Sequence, residues 1–501
     1  MLLLGIDIGT SSIKVAIVDA QTQQCITTVQ YPPDVETGVI SLQKGWAEQS
    51  PEKWWEDVQQ AILKAHSSKL YNPKDIIAIG IAYQMHGLVC VDKNQQVLRD
   101  SIIWCDSRAV EIGNKAFDSV GHEKSLQHLL NSPGNFTAAK LAWVKENEPE
   151  RFAQIDKVML PGDFIAMKLT GQITTSIPSL SEGVFWDFKE NELSKDVFQY
   201  FGFDEALIPE LKEVFTVHGT LKADNAENLS LKLGIPVTYK AGDQPNNALS
   251  LNVLEPGEVA ATAGTSGVIY GVTDELVYDK KSRINSFAHV NYLEEQKRIG
   301  VLLCINGTGI LNSWVKNICG NQFSYQQMND SAANIAPGSN GLKMLPFGNG
   351  AERMLENKMV QSHVHNIDFN VHKQAHLFRA AQEGIAFAFR YGLDIMRENG
   401  MRPSVIRAGK ANMFLSDVFT QCFVDATNVT VELHDCDGSV GAAKGAGIGV
   451  GFYTTAKEAF TNTTPLHLVE PTQQVLYDEL YMEWKELLTN NINNNSKDTT
   501  K

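Results

Sequence analysis

Two apolar, β-branched runs open the chain: residues 1–8 read MLLLGIDI, residues 13–20 read IKVAIVDA, and Gly9-Thr10-Ser11-Ser12 joins them. Runs of this length around a small-residue turn predict a β-hairpin. The stretch SPEKWWEDVQQAILKAH then supplies a Ser N-cap and Pro51 at the first helical position, with Trp54, Val58, Ala61, Ile62 and Ala65 on one face. That spacing predicts an amphipathic helix. Residues 76–83, IIAIGIAY, predict a buried strand, and Gln84-Met85-His86-Gly87 stands at its carboxyl end. Ligands of open α/β sheets gather at such ends. A further strand closes at Trp104, a helix is expected from Leu141, and residues 237–254 run from strand to turn to helix with Asp243 at the turn.

The second half repeats this grammar. GEVAATAGTSGVIYGV, residues 257–272, again reads strand, Gly-Thr-Ser turn, strand. A long helical pattern ends at Gly400, a short strand leads into a glycine turn at Gly409 and a helix, and residues 437–451 crowd small residues together. The pattern predicts an α/β fold with two duplicated halves and a cleft between them. The expected division is residues 1–247, residues 248–489 and a disordered polar tail, residues 490–501.

Composition narrows the class. A chain of 501 residues with 43% apolar side chains can bury two or three cores. A net charge of -15 disfavours nucleic acid and anionic membranes, which need local excesses of Lys and Arg. Asp7 interrupts the opening apolar run, so neither a signal peptide nor a membrane span is expected. Seven scattered cysteines without a Cys-x-x-Cys pair read as reduced thiols of a cytoplasmic protein.

A tight Gly-Thr-Ser turn aims backbone N–H groups and hydroxyls outward, a nest that suits phosphate. Two such turns across a cleft could grip a nucleotide polyphosphate, with Asp7 placed to hold Mg²⁺ and Lys14 to supply a cation. No G-x-x-x-x-G-K-[ST] is present, so this is not a P-loop chain. The glycines from Gly441 to Gly451 lack dinucleotide spacing after a strand and fit close helix packing better.

Asp7-Ile8-Gly9-Thr10-Ser11 with Lys14, Gln84-Met85-His86-Gly87, Gly242-Asp243-Gln244 and Gly264-Thr265-Ser266-Gly267 occur in the order and spacing of one family. By these motifs the chain resembles the FGGY carbohydrate kinases, and within them the members that act on D-xylulose. The resemblance implies two actin-like ATPase (ribonuclease-H-like) domains with an interdomain catalytic cleft. It also implies ATP- and Mg²⁺-dependent phosphorylation of a sugar in xylose catabolism. Gluconate, ribulose and glycerol are the alternative acceptors, and a non-catalytic actin-like nucleotide-binding protein is the alternative class. A homodimer is one option for assembly.

Carried over residue by residue, Asp243 is expected to take the proton of the acceptor hydroxyl, although an Asp before QPNNAL also suits a helix N-cap. Met85, His86 and Asp106 are expected at the sugar. Gly9, Thr10, Ser11, Lys14, Gly264, Thr265, Gly309, Gly409 and Asn412 are expected at the nucleotide, and Asp7 at the metal. A neutral Met-His pair suits an uncharged polyol, since it offers no cation for an aldonate carboxylate. The chain departs from the family at Ala408-Gly409-Lys410, where three glycines are usual and where Lys410 could meet phosphate instead. It departs also at Gln244, at Cys105 and in residues 346–354.

Overall fold

The computed structural model describes residues 1–34, 38–320 and 322–498. The hairpin forms as the pattern predicts: Leu2–Ile8 pairs antiparallel with Ile13–Asp19, and Cys25–Tyr31 continues the meander. Leu3 on one face and Leu4, Ile6 and Ile8 on the other are fully buried, which reflects a strand covered on both faces. The helix Pro51–Ser67 then crosses over, and Ile76–Tyr83 returns parallel to Leu2–Ile8. Pro236–Gly242 adds the next parallel strand, so the N-terminal sheet has six strands.

The C-terminal sheet is built to the same plan. Glu258–Ala263 pairs antiparallel with Gly267–Thr273, which pairs antiparallel with Ile299–Ile305. The long helix Gln374–Glu398 crosses over, and Val405–Gly409 and Val431–His434 add parallel strands beside Glu258–Ala263. In each half an antiparallel three-strand meander is followed, after a crossover helix, by two parallel strands on the far side of the first. Matching topology, with the matching turns, carries the duplication.

Two helices join the halves. Asp243–Ser250 follows the last long strand of the N-terminal sheet, and Gly438–Gly449 follows Val431–His434 of the C-terminal sheet. Gly438–Gly449 packs on the N-terminal sheet, against Leu2–Ile8, Ile76–Tyr83 and Pro236–Gly242. The two helices also pack on each other, and a Cβ on Gly441 would lie 1.7 Å from Ser250 Oγ. The halves are therefore not separable at one sequence position: residue 247 lies inside a helix, and residues 438–449 belong spatially to the first sheet. The polar tail also differs from expectation. Residues 490–498 continue the helix Gln474–Asp498, and residues 499–501 lie outside the described residues. Upstream, Tyr477, Tyr481, Trp484 and Leu488 bury one face of that helix, and this anchors the polar turns that follow.

Among the described residues no helix is long and apolar enough to cross a membrane.

Candidate active site

Four structural features converge on the cleft: the two hairpin turns and the N-termini of the two joining helices. Asp7 is the next-to-last residue of the first strand, and its carboxylate abuts the start of Gly438–Gly449. A Cβ on Gly438 would lie 2.4 Å from Asp7 Oδ2. Asp243 is the first residue of Asp243–Ser250, with Gly242 as the N-cap, so the expectation that Asp243 itself caps this helix is not met.

Both carboxyl groups are raised above the ordinary carboxylate range. Burial in the cleft, then the charge of Asp7, pushes Asp243 up to about 7. Burial, then Asp437, pushes Asp7 up to about 6, with Lys14 acting in the opposite direction. Two carboxylates held this way in one cleft gain from a cation between or beside them. Among the described residues no three of His, Cys, Asp or Glu gather as metal ligands. Such a site suits Mg²⁺, which binds through one or two carboxylates and completes its shell with water and phosphate oxygens.

The first turn is a well-supported loop. Gly9 N–H donates to the Ser12 carbonyl at 3.1 Å. Thr10 is held from three sides: its hydroxyl donates to Gln84 Oε1 (3.4 Å) and accepts from Trp104 Nε1 (3.0 Å), and its carbonyl accepts from Gln49 Nε2 (2.7 Å). Lys14 reaches Asp437 Oδ2 at 3.6 Å, so its charge is turned toward the acidic side of the cleft.

The second turn lines a pocket of about 430 Å³. Gly264 and Thr265 form one wall, Gly309 and Asn412 two others, and Tyr325 and Met413 add apolar surface. Gly309 N–H donates to the Gly264 carbonyl at 2.9 Å, and Ile310 N–H to that of Thr265 at 3.1 Å. A Cβ on Gly309 would lie 2.4 Å from the Gly264 oxygen, so only glycine permits that approach. Gly409 does not line this pocket. It ends the strand Val405–Gly409, and the Nζ of Lys410 is paired with His467 Nε2.

Met85 and His86 lie where the strand Ile76–Tyr83 ends, beside Asp243. A Cβ on Gly242 would touch Met85 Cγ and Glu182 Oε2, each at 2.7 Å. Burial drives His86 down to about 3, with the charge of Lys140 the next cause and that of Arg353 a lesser one. The ring is therefore neutral at physiological pH.

Asp106 is corrected by the structure. It is fully buried, its oxygens accept from Ala47 N–H (2.6 Å), Arg108 N–H (2.8 Å) and Arg108 Nε–H (2.9 Å), and Arg108 Nη2 forms an ion pair with it at 2.7 Å. Engaged by both oxygens in the protein interior, it braces Arg108 against the Trp46 ring, 3.9 Å away.

Three residues of the site escaped sequence reasoning. Lys140, Glu182 and Arg353 all act on His86, from positions 54, 96 and 267 residues further along the chain. No local pattern marks them. The one available signal is a charged residue in an otherwise apolar context, as in Lys140 within TAAKLAWV.

Comparison with known proteins identifies the family of the chain. The model for the FGGY family of carbohydrate kinases, N-terminal domain, matches residues 2–250, and the C-terminal domain model matches residues 259–449. A xylulose kinase of Bacillus subtilis (strain 168) is 29% identical over 464 residues, covering 91% of this chain and 89% of that protein. Among solved structures, a xyloylose kinase from Brucella ovis superposes with a TM-score of 0.86 at 25% identity, covering 97% and 98% of the two chains. The Plasmodium falciparum glycerol kinase with ADP superposes equally well, with a TM-score of 0.88 at 19% identity over 98% of both chains.

Proposed function

The chain belongs to the FGGY family of carbohydrate kinases, and from that premise we propose that it transfers the γ-phosphoryl group of ATP to D-xylulose, giving D-xylulose 5-phosphate and ADP. One observation carries the choice of acceptor: an uncharged Met85-His86 pair adjoins Asp243 at the end of a sheet strand. Relatives of nearly full length that are named xylulose kinases support it. The overall shape does not decide the acceptor, since a glycerol kinase fits the same backbone.

In this reading Asp243 accepts the proton of the attacking hydroxyl, because an alcohol is a poor nucleophile until that proton has somewhere to go. Met85 packs on the carbon chain and His86 hydrogen-bonds a hydroxyl. Gly264, Thr265, Gly309 and Asn412 hold the nucleotide on the C-terminal side, and Gly9, Thr10 and Ser11 approach its phosphates from the N-terminal side. Asp7 would hold Mg²⁺, which would supply neutralisation of phosphoryl charge. Lys14 aligns Asp437 and the acidic side of the cleft rather than contacting phosphate. Seven unpaired cysteines fit work in the reducing cytoplasm, as a step of xylose catabolism.

Two cations acting on His86, Lys140 and Arg353, favour an aldonate as a second reading of the acceptor. A screen of pentuloses, polyols and aldonates with ATP consumption as readout separates the two. D-Xylulose is expected to lead in kcat/KM by at least about tenfold, the scale of one good hydrogen bond. A lead for gluconate transfers the assignment to the second reading, and turnover of no acceptor overturns both.

The pH dependence follows from Asp243. Its base form exists above a value raised to about 7, so kcat/KM should be flat on the alkaline side and fall as pH drops through about 7 toward 6. A profile flat down to pH 5 would show that a different group takes the proton.

A further inference from the structure

His86 has a φ of 62°, in the left-handed region that a non-glycine residue occupies only when its surroundings hold it there. Every polar group of its backbone and one side of its ring is held. The main-chain N–H points to Glu182 Oε1 at 3.4 Å, ring Nδ1 lies 3.0 Å from the Glu182 carbonyl oxygen, and the His86 carbonyl accepts from Lys140 Nζ at 2.7 Å. Phe136 and Phe287 pack against the ring, with centroids 4.9 and 5.4 Å away. Phe287 comes from the C-terminal sheet, so both halves grip the same imidazole.

A carbonyl oxygen can only accept. Nδ1 must therefore carry the hydrogen, and a neutral ring with Nδ1–H presents a bare lone pair at Nε2. Among the described residues Nε2 has no hydrogen-bond partner.

We propose that Lys140 and Glu182 are positioning residues that lock His86 as a hydrogen-bond acceptor facing the sugar, so that the substrate group opposite Nε2 is a hydroxyl donating its proton. This rests on the acceptor site proposed above, and it adds a rule of recognition: a group that only accepts, such as a carbonyl, a carboxylate oxygen or a fluorine, is rejected at that position. Lys140 is fully buried, and the His86 carbonyl is its hydrogen-bond acceptor among the described residues. Removing the ammonium releases the strained peptide.

The first test uses Lys140→Met and Lys140→Arg, with D-xylulose kinetics, ADP binding by calorimetry and thermal melting. Lys140→Met is expected to raise KM on the order of tenfold, more than it lowers kcat, while ADP affinity stays within about twofold. Lys140→Arg should recover much of the loss. An unchanged KM in a folded Lys140→Met protein that binds ADP overturns the proposal.

The second test reads substrate analogues, with thermal melting and ADP binding checking that each His86 variant is folded. With the unmodified enzyme, a series of deoxy and deoxyfluoro ketoses is compared. The hydroxyl facing His86 is the one whose deoxy penalty vanishes in His86→Ala. At that position the fluoro analogue, which accepts but cannot donate, should be as poor as the deoxy analogue. Recovery by fluorine overturns the proposal. The tautomer is also read without substrate, from ¹⁵N shifts of histidine-labelled protein with His86 identified by its loss in His86→Asn. A protonated Nε2 overturns the proposal, whereas absence of ketose turnover with a bare Nε2 counts against D-xylulose alone.

Discussion

Replacing Asp243 with asparagine should lower kcat by about 10³-fold, within the range that loss of a general base costs. The amide keeps the shape and the helix start but cannot take up the acceptor proton. Because Gly264, Thr265, Gly309 and Asn412 lie on the opposite side of the cleft, ADP affinity should change little. The same variant makes an unusual stability prediction. A carboxyl whose folded value is raised from 3.8 to about 7 favours the folded state while protonated. That advantage is complete below about pH 4 and is lost as pH rises through about 7, so at pH 8 the ionised Asp243 beside Asp7 burdens the fold. In metal-free buffer at pH 8, Asp243→Asn should therefore melt higher than the natural protein, and the gap should narrow as pH falls below about 7 and close below about pH 4. An asparagine variant that retains a tenth of the activity, or that melts lower at pH 8, contradicts the role given to this carboxylate.

The largest structural effect is expected at Gly5. A Cβ there would lie 1.8 Å from the Ser439 carbonyl oxygen and 2.5 Å from the Ala443 nitrogen. Both are backbone atoms of one helix, so no side chain can swing aside. Gly80 faces the same helix in the same way, 2.0 Å from the Ala442 oxygen. Gly5→Ala must lift Gly438–Gly449 off the sheet, at a cost of about 3 kcal/mol or more, at the upper end of overpacking effects. The displaced helix begins beside Asp7, so activity should fall even in molecules that remain folded. Gly409→Ala is the matched control: its Cβ would meet Cys436 Cβ at an ordinary 3.5 Å. Denaturant melts of the two variants should differ by several-fold in lost stability. If Gly5→Ala melts like Gly409→Ala, the helix is not seated as described.

These two residues also mark how far the sequence could be read. The turn containing Gly9, the buried strand ending at Tyr83 and the helix beginning at Pro51 follow from apolar period, β-branching and capping within a few residues. The order of the motifs was enough to reach a carbohydrate kinase family and to single out Asp7, His86 and Asp243. Asp106 was misread because an aspartate after a strand looks the same whether it faces a ligand or an arginine two residues on. Arg108 and Ala47 settled that, and Ala47 lies 59 residues away. Gly409 ends its strand outside the pocket lined by Gly264, Thr265, Gly309 and Asn412, and a glycine between a strand and a helix does not reveal which wall of a pocket it reaches. The tail was misread because its asparagines look unstructured in isolation, whereas the helix they extend is anchored by Tyr477, Tyr481 and Trp484.

By itself, then, the sequence determined the local elements, their doubled order and the acids and small residues at each turn, because hydrogen-bond period, turn chemistry and side-chain alternation act between near neighbours. The tertiary structure alone decided that the helix starting at Gly438 lies on the other half's sheet. It alone decided that Lys140 and Glu182 hold His86 in a strained and tautomerically defined state, and that burial with the charge of Asp7 raises the proton affinity of Asp243. Burial and charge–charge distance set those properties, and both depend on residues that the chain keeps far apart until it folds.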